Sequence, residues 1–308
     1  MWIKIVLAIV VLVIAGIIGL SYFWFHFLFA RPKRSKKVPK FYIDTPHYKV
    51  SRAGMAIMDK LPVEDVYMTS RDGLKLHAYL YPAEGEQKKF IIGIHGYKSY
   101  ARPEYGPYIA YYQSLGYSML LPDDRAHAPS EGRYIGLGVL DRLDCVDWAK
   151  YLVERFGADT EIRLHGVSMG AATVLSASAE EDLPQQVKSV VADCGYSSIA
   201  DEFHYQFKEN IHMPACIFMP LIEGIAKHRV GIDFTHNSPV EQVKHARVPI
   251  LFVQGEKDPM VPAWMVHKLY DACTSEKRLL VVAEAGHAES IAFEPEKYHA
   301  AIQELFSL

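Results

Sequence analysis

The stretch Leu164-His165-Gly166-Val167-Ser168-Met169-Gly170 decides how this chain is read. It has the form G-x-S-x-G and closes an apolar, strand-like run from Glu161 to His165. It then opens onto Ala171-Ala172-Thr173-Val174-Leu175, a small-residue helical pattern. A serine between a strand and a helix sits on a tight turn that lifts its hydroxyl clear of the sheet and strains its backbone. Gly166 and Gly170 suit places where a Cβ would crowd the neighbouring strand or helix. The helix that follows points unpaired N–H groups at any negative charge forming beside Ser168. On its own, the pattern also fits a structural serine that caps a helix.

A nucleophilic serine needs a base, and a carboxylate that holds the base in the right tautomer. Val248 to Gln254 reads as a buried strand followed by Gly255-Glu256-Lys257-Asp258. Asp258 therefore falls just past a strand end, where open α/β sheets place functional groups. A further strand pattern, Arg278 to Ala283, leads into Glu284-Ala285-Gly286-His287 and puts His287 in the same relation to its strand. The order Ser168, Asp258, His287 is that of an α/β-hydrolase, not of chymotrypsin or subtilisin. Asp193, after the run Ser189 to Ala192, is a rival carboxylate; Asp258 is preferred because it fits the final acid-then-histidine order. The other thirteen histidines lack this strand–Gly–His context. His127 is read as structural or as lining the site, and His95 as packed beneath a loop.

Four motifs carry a family resemblance: His95-Gly96 after the strand pattern Phe90 to Ile94, Gly166 to Gly170, Asp258, and Gly286-His287. On these, residues 60 to 308 resemble an α/β-hydrolase of the serine-hydrolase type. They are most similar to membrane-anchored bacterial hydrolases related to the ABHD-type and prolyl-oligopeptidase-like esterases. The resemblance implies that the backbone N–H groups of Tyr97 and Met169 form an oxyanion hole, and that no cofactor is needed. A fifth motif, Pro122 to Gly132, departs from the usual D-x-R-G-H-G-x-S-x-G: Ala126 and Ala128 stand where glycines are usual. That departure puts the turn geometry of the loop in question.

Other chemistries find no support. The chain has no H-E-x-x-H, C-x-x-C or EF-hand spacing for a metal, and no nucleotide-binding glycine loop. The four cysteines, Cys145, Cys194, Cys216 and Cys273, are scattered among apolar neighbours.

Residues 5 to 25 carry no charged side chain, and such a run spans about 30 Å as a helix, the thickness of a bilayer's hydrocarbon core. An uncleaved transmembrane anchor over 1–30 is expected, because Phe27-Leu28-Phe29-Ala30-Arg31 makes a poor signal-peptidase site. Arg31, Lys33, Arg34, Lys36 and Lys37 follow it and outnumber Lys4 with the amino terminus, which favours the cytoplasmic side for the catalytic domain. Seven of the 33 basic residues, and no acidic one, lie in residues 1 to 40, leaving 26 basic against 36 acidic residues and a net charge of −10. That balance argues against nucleic-acid binding by the globular part.

Residues 31–60 read as a basic flank and linker, and 61–308 as the hydrolase domain. There, strand patterns alternate with helical ones, which implies a mostly parallel central sheet flanked by helices. The alternation breaks between Ser198 and His245, a segment rich in Phe, Tyr and Met. This insertion, about 198–245, is expected to be a small helical lid over Ser168. The sequence thus predicts a membrane-anchored serine hydrolase that cleaves an ester, thioester or related acyl bond of a small-molecule or lipid-derived substrate. A peptidase of the aminopeptidase or oligopeptidase type, or a non-catalytic membrane-tethered scaffold, would share the fold.

Overall fold

The computed structural model describes residues 1–33, 45–236 and 238–308. Helix α1 (Trp2–Phe29) comes first, then α2 (Pro46–Met58) and an antiparallel pair of strands, β1 (Glu64–Thr69) and β2 (Lys75–Tyr81). Strands and helices then alternate: β3 (Lys89–Ile94), α3 (Ala101–Ser114), β4 (Ser118–Asp123), α4 (Asp141–Phe156), β5 (Glu161–Val167), α5 (Met169–Ala177) and β6 (Val187–Asp193). Two longer helices, α6 (Ile199–Tyr205) and α7 (Ala215–Val230), and several single turns interrupt this rhythm before β7 (Ile250–Gly255), α8 (Trp264–Ala272), β8 (Lys277–Val282) and α9 (Pro295–Phe306). The eight strands form one sheet in the order β1-β2-β4-β3-β5-β6-β7-β8. Only β2 runs against its neighbours; the pairs from β4 through β8 are parallel. This is the α/β-hydrolase fold.

Strands β4 to β7 are buried almost throughout. Helices cover both faces of the sheet, so apolar runs rather than alternation mark these strands in the sequence. On one face Phe90, Ile92, Trp148 and Leu164 pack together; on the other, Tyr105, Tyr108, Tyr112 and Tyr298 surround β5. A third apolar cluster lies above the sheet, where Phe25 and Phe29 of α1 meet Phe203, Phe207 and Phe234.

Two segments differ from their expected form. Residues 46–58 are a helix, not a linker: Pro46 starts it, and the Thr45 hydroxyl accepts a hydrogen bond from the Tyr48 N–H at 3.2 Å, a capping signal written in Thr-Pro. It packs on α3 backbone to backbone, where Gly54 meets Gly106. Helix α1 is long and apolar enough to cross a membrane by length and composition. Its last turns, however, belong to the folded domain, with Ser21, Phe25, Leu28 and Phe29 buried. Arg34, Lys36 and Lys37 lie outside the described residues.

Candidate active site

The site is assembled at the carboxyl ends of the parallel strands. Ser168 follows β5 with φ 57° and ψ −116°, a strained backbone that the packing around it enforces. A Cβ on Gly166 would run into the Gly170 carbonyl, and one on Gly170 into the Ile94 carbonyl, so both positions need glycine. Although Ser168 stands at the N-cap of α5, its side chain makes no capping bond. Instead its Oγ lies 3.0 Å from His287 Nε2, which separates it from the helix-capping serine that the motif alone would allow.

His287 Nδ1 lies 2.7 Å from Asp258 Oδ2, so the three residues predicted from the sequence meet in one chain of hydrogen bonds. Asp258 is held hard. Its Oδ1 accepts from the N–H groups of Met260 (2.8 Å) and Val261 (2.9 Å), and its Oδ2 also accepts from Gln254 Nε2 at 3.1 Å. Burial disfavours charge on the His287 ring, but the neighbouring Cys194 thiol and the Asp258 carboxylate together outweigh it and hold the imidazole well above its ordinary value. Asp193 does not take this place. Its Oδ2 accepts from the hydroxyls of Tyr298 (2.9 Å) and Tyr108 (3.4 Å) beneath the sheet's end, and burial pushes its carboxyl up to about 6.

The loop after β3 brings Gly96 against the nucleophile, where a Cβ would sit 3.3 Å from that of Ser168. Among the described residues, the backbone N–H groups of neighbouring Tyr97 and of Met169 find no acceptor. Two histidines tie this loop to the one after β4. His127 Nε2 accepts from the Lys98 N–H (3.2 Å), and His95 Nε2 accepts from the Asp124 N–H (3.1 Å). Burial depresses both rings, to about 4 for His127 and about 3 for His95. Both therefore stay neutral near pH 7 and keep the accepting nitrogen that these bonds require.

In the same loop Ala126 (φ 61°) and Ala128 (φ 40°) keep the left-handed conformation that glycine usually supplies. The turn survives because Arg125 is locked below it to Asp144 (2.7 Å) and Asp72 (2.9 Å). Strain gathers at this end of the sheet: Lys98, Ala126, Ala128, Ser168, Cys194 and Ala288 all have positive φ in loops that follow β3, β4, β5, β6 and β8.

Two openings flank Ser168 and His287. One is an apolar cavity of about 310 Å³, lined on the insertion side by Ile199, Phe203 and Phe207 and on the α1 side by Trp24, Phe27 and Leu28. The other is a more polar cleft bordered by His47, Glu104, Lys257, Glu284 and Glu289.

Three participants were not foreseen. The end of α1 lines the apolar cavity. Glu202 of α6 also reaches it; its Oε1 accepts from Gln206 Nε2 at 2.9 Å while its buried Oε2 has no partner, and burial pushes its carboxyl up to about 7. Cys194 Sγ lies within 4.8 Å of the facing atoms of Asp258 and His287, and burial pushes its thiol up to about 12, leaving it neutral. No spacing in the sequence marks these groups, because each reaches the site through packing between distant elements.

Residues 136–306, more than half of the chain, match the family model of the prolyl oligopeptidase family. The Bacillus subtilis protein YqkD is 24% identical over 197 residues; the match covers 64% of this chain and 64%, just under two thirds, of that protein. The Escherichia coli K12 protein YfhR is 20% identical over 239 residues, 75% of this chain and 76% of its own length. Among solved structures, an esterase of Pyrococcus furiosus superposes with a TM-score of 0.67 at 21% identity, covering 91% of this chain and 97% of that one. An acylaminoacyl peptidase of Pyrococcus horikoshii gives 0.60 at 18% identity, covering 82% of this chain and 42% of that one. Identities this low speak to the fold alone. The family match runs from the loop before α4, through the Ser168 turn, to the end of α9, and by it the chain belongs to the prolyl oligopeptidase family, as a serine hydrolase of α/β-hydrolase fold.

Proposed function

We propose that this protein is a membrane-anchored hydrolase of carboxylic esters, thioesters or related acyl bonds, working through an acyl-enzyme. Ser168 attacks the acyl carbonyl while His287 takes its proton at Nε2. Asp258 keeps the other ring proton on Nδ1 and stabilises the imidazolium that forms. The N–H groups of Tyr97 and Met169 receive the oxyanion; losing one such donor typically lowers turnover by about 10²–10³-fold. His287 then returns its proton to the leaving group, and water, activated by the same ring, releases the acid. The observation that carries the ester reading is the apolar cavity beside Ser168 and His287, whose lining suits an acyl chain.

A second reading, peptidase action, is favoured by the carboxylates of Glu104, Glu284 and Glu289 around the polar cleft, which suit a substrate amine.

The test is fluorophosphonate labelling of the full chain in detergent, with Ser168→Ala beside it, then a panel of p-nitrophenyl esters against acyl-amino-acid p-nitroanilides. Labelling lost in the variant, with esters turned over far faster than anilides of equal chain length, supports the proposal. Faster anilide hydrolysis would move peptidase action to the front. A folded parent that takes no label would leave the scaffold reading.

A further inference from the structure

Building on the ester-hydrolase reading, we propose that the last two turns of α1 form the acyl-chain wall of the active site. The substrate is a single-chain ester already dissolved in the bilayer that α1 enters. The anchor is thus part of the binding site as well as a tether.

Helix α1 has two halves with different surroundings. Its most apolar 18-residue window has no residue buried in the protein, and burial by the domain first becomes complete at Ser21. Trp2 to Leu20 is about 28 Å long at 1.5 Å per residue, close to the ~30 Å hydrocarbon thickness. The membrane-spanning half therefore ends where the docked half begins, with no stem between domain and bilayer.

The docked half is fixed at several points. Phe29 stacks on Phe234 (6.1 Å between ring centroids), and Trp24 packs on Phe207 (5.2 Å). The Ile135 N–H donates to the Phe29 carbonyl at 2.7 Å, and Arg31 Nη1 donates to the Ser130 carbonyl at 2.7 Å. The last carbonyls of a helix have no partner within it, and here the loop beside the nucleophile supplies them. Tyr97 Oη donates to the Leu28 carbonyl (2.8 Å), and Lys98 Nζ donates to that of Phe27 (2.7 Å). The residue whose N–H is assigned to the oxyanion is thus held through its side chain by the anchor.

Trp24, Phe27 and Leu28 line the same cavity as Ser168 and His287. Phe27 (53% exposed) and Met260 (48%) mark its open side. Trp24 and Leu28 lie four and eight residues beyond Leu20, about 6 and 12 Å above the hydrocarbon edge. The polar layer of each leaflet is about 5–8 Å thick, so the cavity begins at headgroup level. Phe23 on α1 and Ile217 and Leu221 on α7 are exposed apolar side chains on the two helices. A volume of about 310 Å³ is at the bottom of the ~300–1,000 Å³ range of ligand sites, which suits one chain rather than two. The polar cleft on the other side of Ser168 leaves room for the head group.

The test uses the full chain reconstituted in phosphatidylcholine vesicles, with p-nitrophenyl laurate as the bilayer-resident ester and p-nitrophenyl acetate as the water-borne one. At fixed total laurate, adding plain lipid is expected to lower the rate in proportion to the fall in its mole fraction. Leu28→Trp, which fills the cavity, and Phe27→Ala, a change at a half-exposed site that the fold tolerates, are each expected to lower the laurate-to-acetate ratio of kcat/KM about tenfold or more. Val11→Trp, in the membrane half, is expected to leave that ratio unchanged. The proposal is overturned if Ser168 labels normally yet the laurate rate ignores lipid dilution, or if neither cavity variant moves the ratio. A parent that fails to label refutes the hydrolase reading itself, a separate result.

Discussion

Replacing Asp258 by asparagine should nearly silence the enzyme without unfolding it, and the hydrogen bonds around the residue say why. Both carboxylate oxygens of Asp258 only accept: Oδ1 from two backbone N–H groups, Oδ2 from His287 Nδ1 and Gln254 Nε2. Asparagine has one oxygen and one NH₂ to offer. With the NH₂ at Oδ1 it would face two backbone donors, each then unsatisfied at about 1–3 kcal/mol. The NH₂ therefore goes toward His287, whose Nδ1 must become the acceptor. The ring proton moves to Nε2, the atom 3.0 Å from Ser168 Oγ, and the base arrives already protonated. Gln254 cannot relieve this by turning over, because its Nε2 also donates to the carbonyls of Val261 (2.9 Å) and Gly255 (3.2 Å). The expected loss is about 10⁴-fold in kcat, or about 5.4 kcal/mol. Steady-state ester hydrolysis measures it, with circular dichroism to verify the fold. A folded Asp258→Asn enzyme within about tenfold of the parent would refute the assignment and return attention to Asp193.

Other outcomes follow from the same geometry. Because Cys194 and the Asp258 carboxylate hold the His287 imidazole above its ordinary value, and only the neutral ring can act as base, kcat/KM should rise with pH through a midpoint above about 6.5; a pH–rate profile tests this, and a lower midpoint would contradict it. The Glu202 carboxyl, raised by burial to about 7, binds its proton more tightly folded than unfolded, so it costs stability as pH rises from about 4.3 toward 7. Glu202→Gln should therefore raise stability at pH 8 by as much as about 3 kcal/mol, with the gain shrinking to nothing near pH 4. Ala128→Gly should stabilise by about 0.5–1 kcal/mol, since relief of a left-handed alanine, about 1–2 kcal/mol, exceeds glycine's entropy cost of about 0.5–1. Ala126→Gly should come out near zero, because its fully buried methyl is worth about 0.8 kcal/mol; paired thermal melts in detergent compare the two.

Much of the fold could be read from the chain because its signals are local. Gly-x-Ser-x-Gly between an apolar run and a small-residue helix specifies the strand–turn–helix locally, even though the turn also packs on Ile94 from β3. Strands β4 to β7, buried on both faces, show as unbroken apolar stretches. Asp258 follows β7 and His287 follows the edge strand β8, so strand ends alone located two members of a site otherwise scattered over 120 residues of chain. The start of helix α2 is legible in Thr45-Pro46, whereas its seating on α3 through Gly54 and Gly106 is not. Tertiary structure alone decided the rest. That His287 pairs with Asp258, while Asp193 accepts from Tyr108 and Tyr298 instead, is settled by how elements far apart in sequence pack. That Cys194 and Glu202 reach the site depends on packing between the sheet and its insertion. An apolar run of this length announces a membrane helix equally well whether its end is free or docked. Only the burial of Phe25 and Phe29 and the grip of Tyr97 and Lys98 on its last carbonyls make it a wall of the cavity, since those contacts join residues from about 70 to about 200 positions apart.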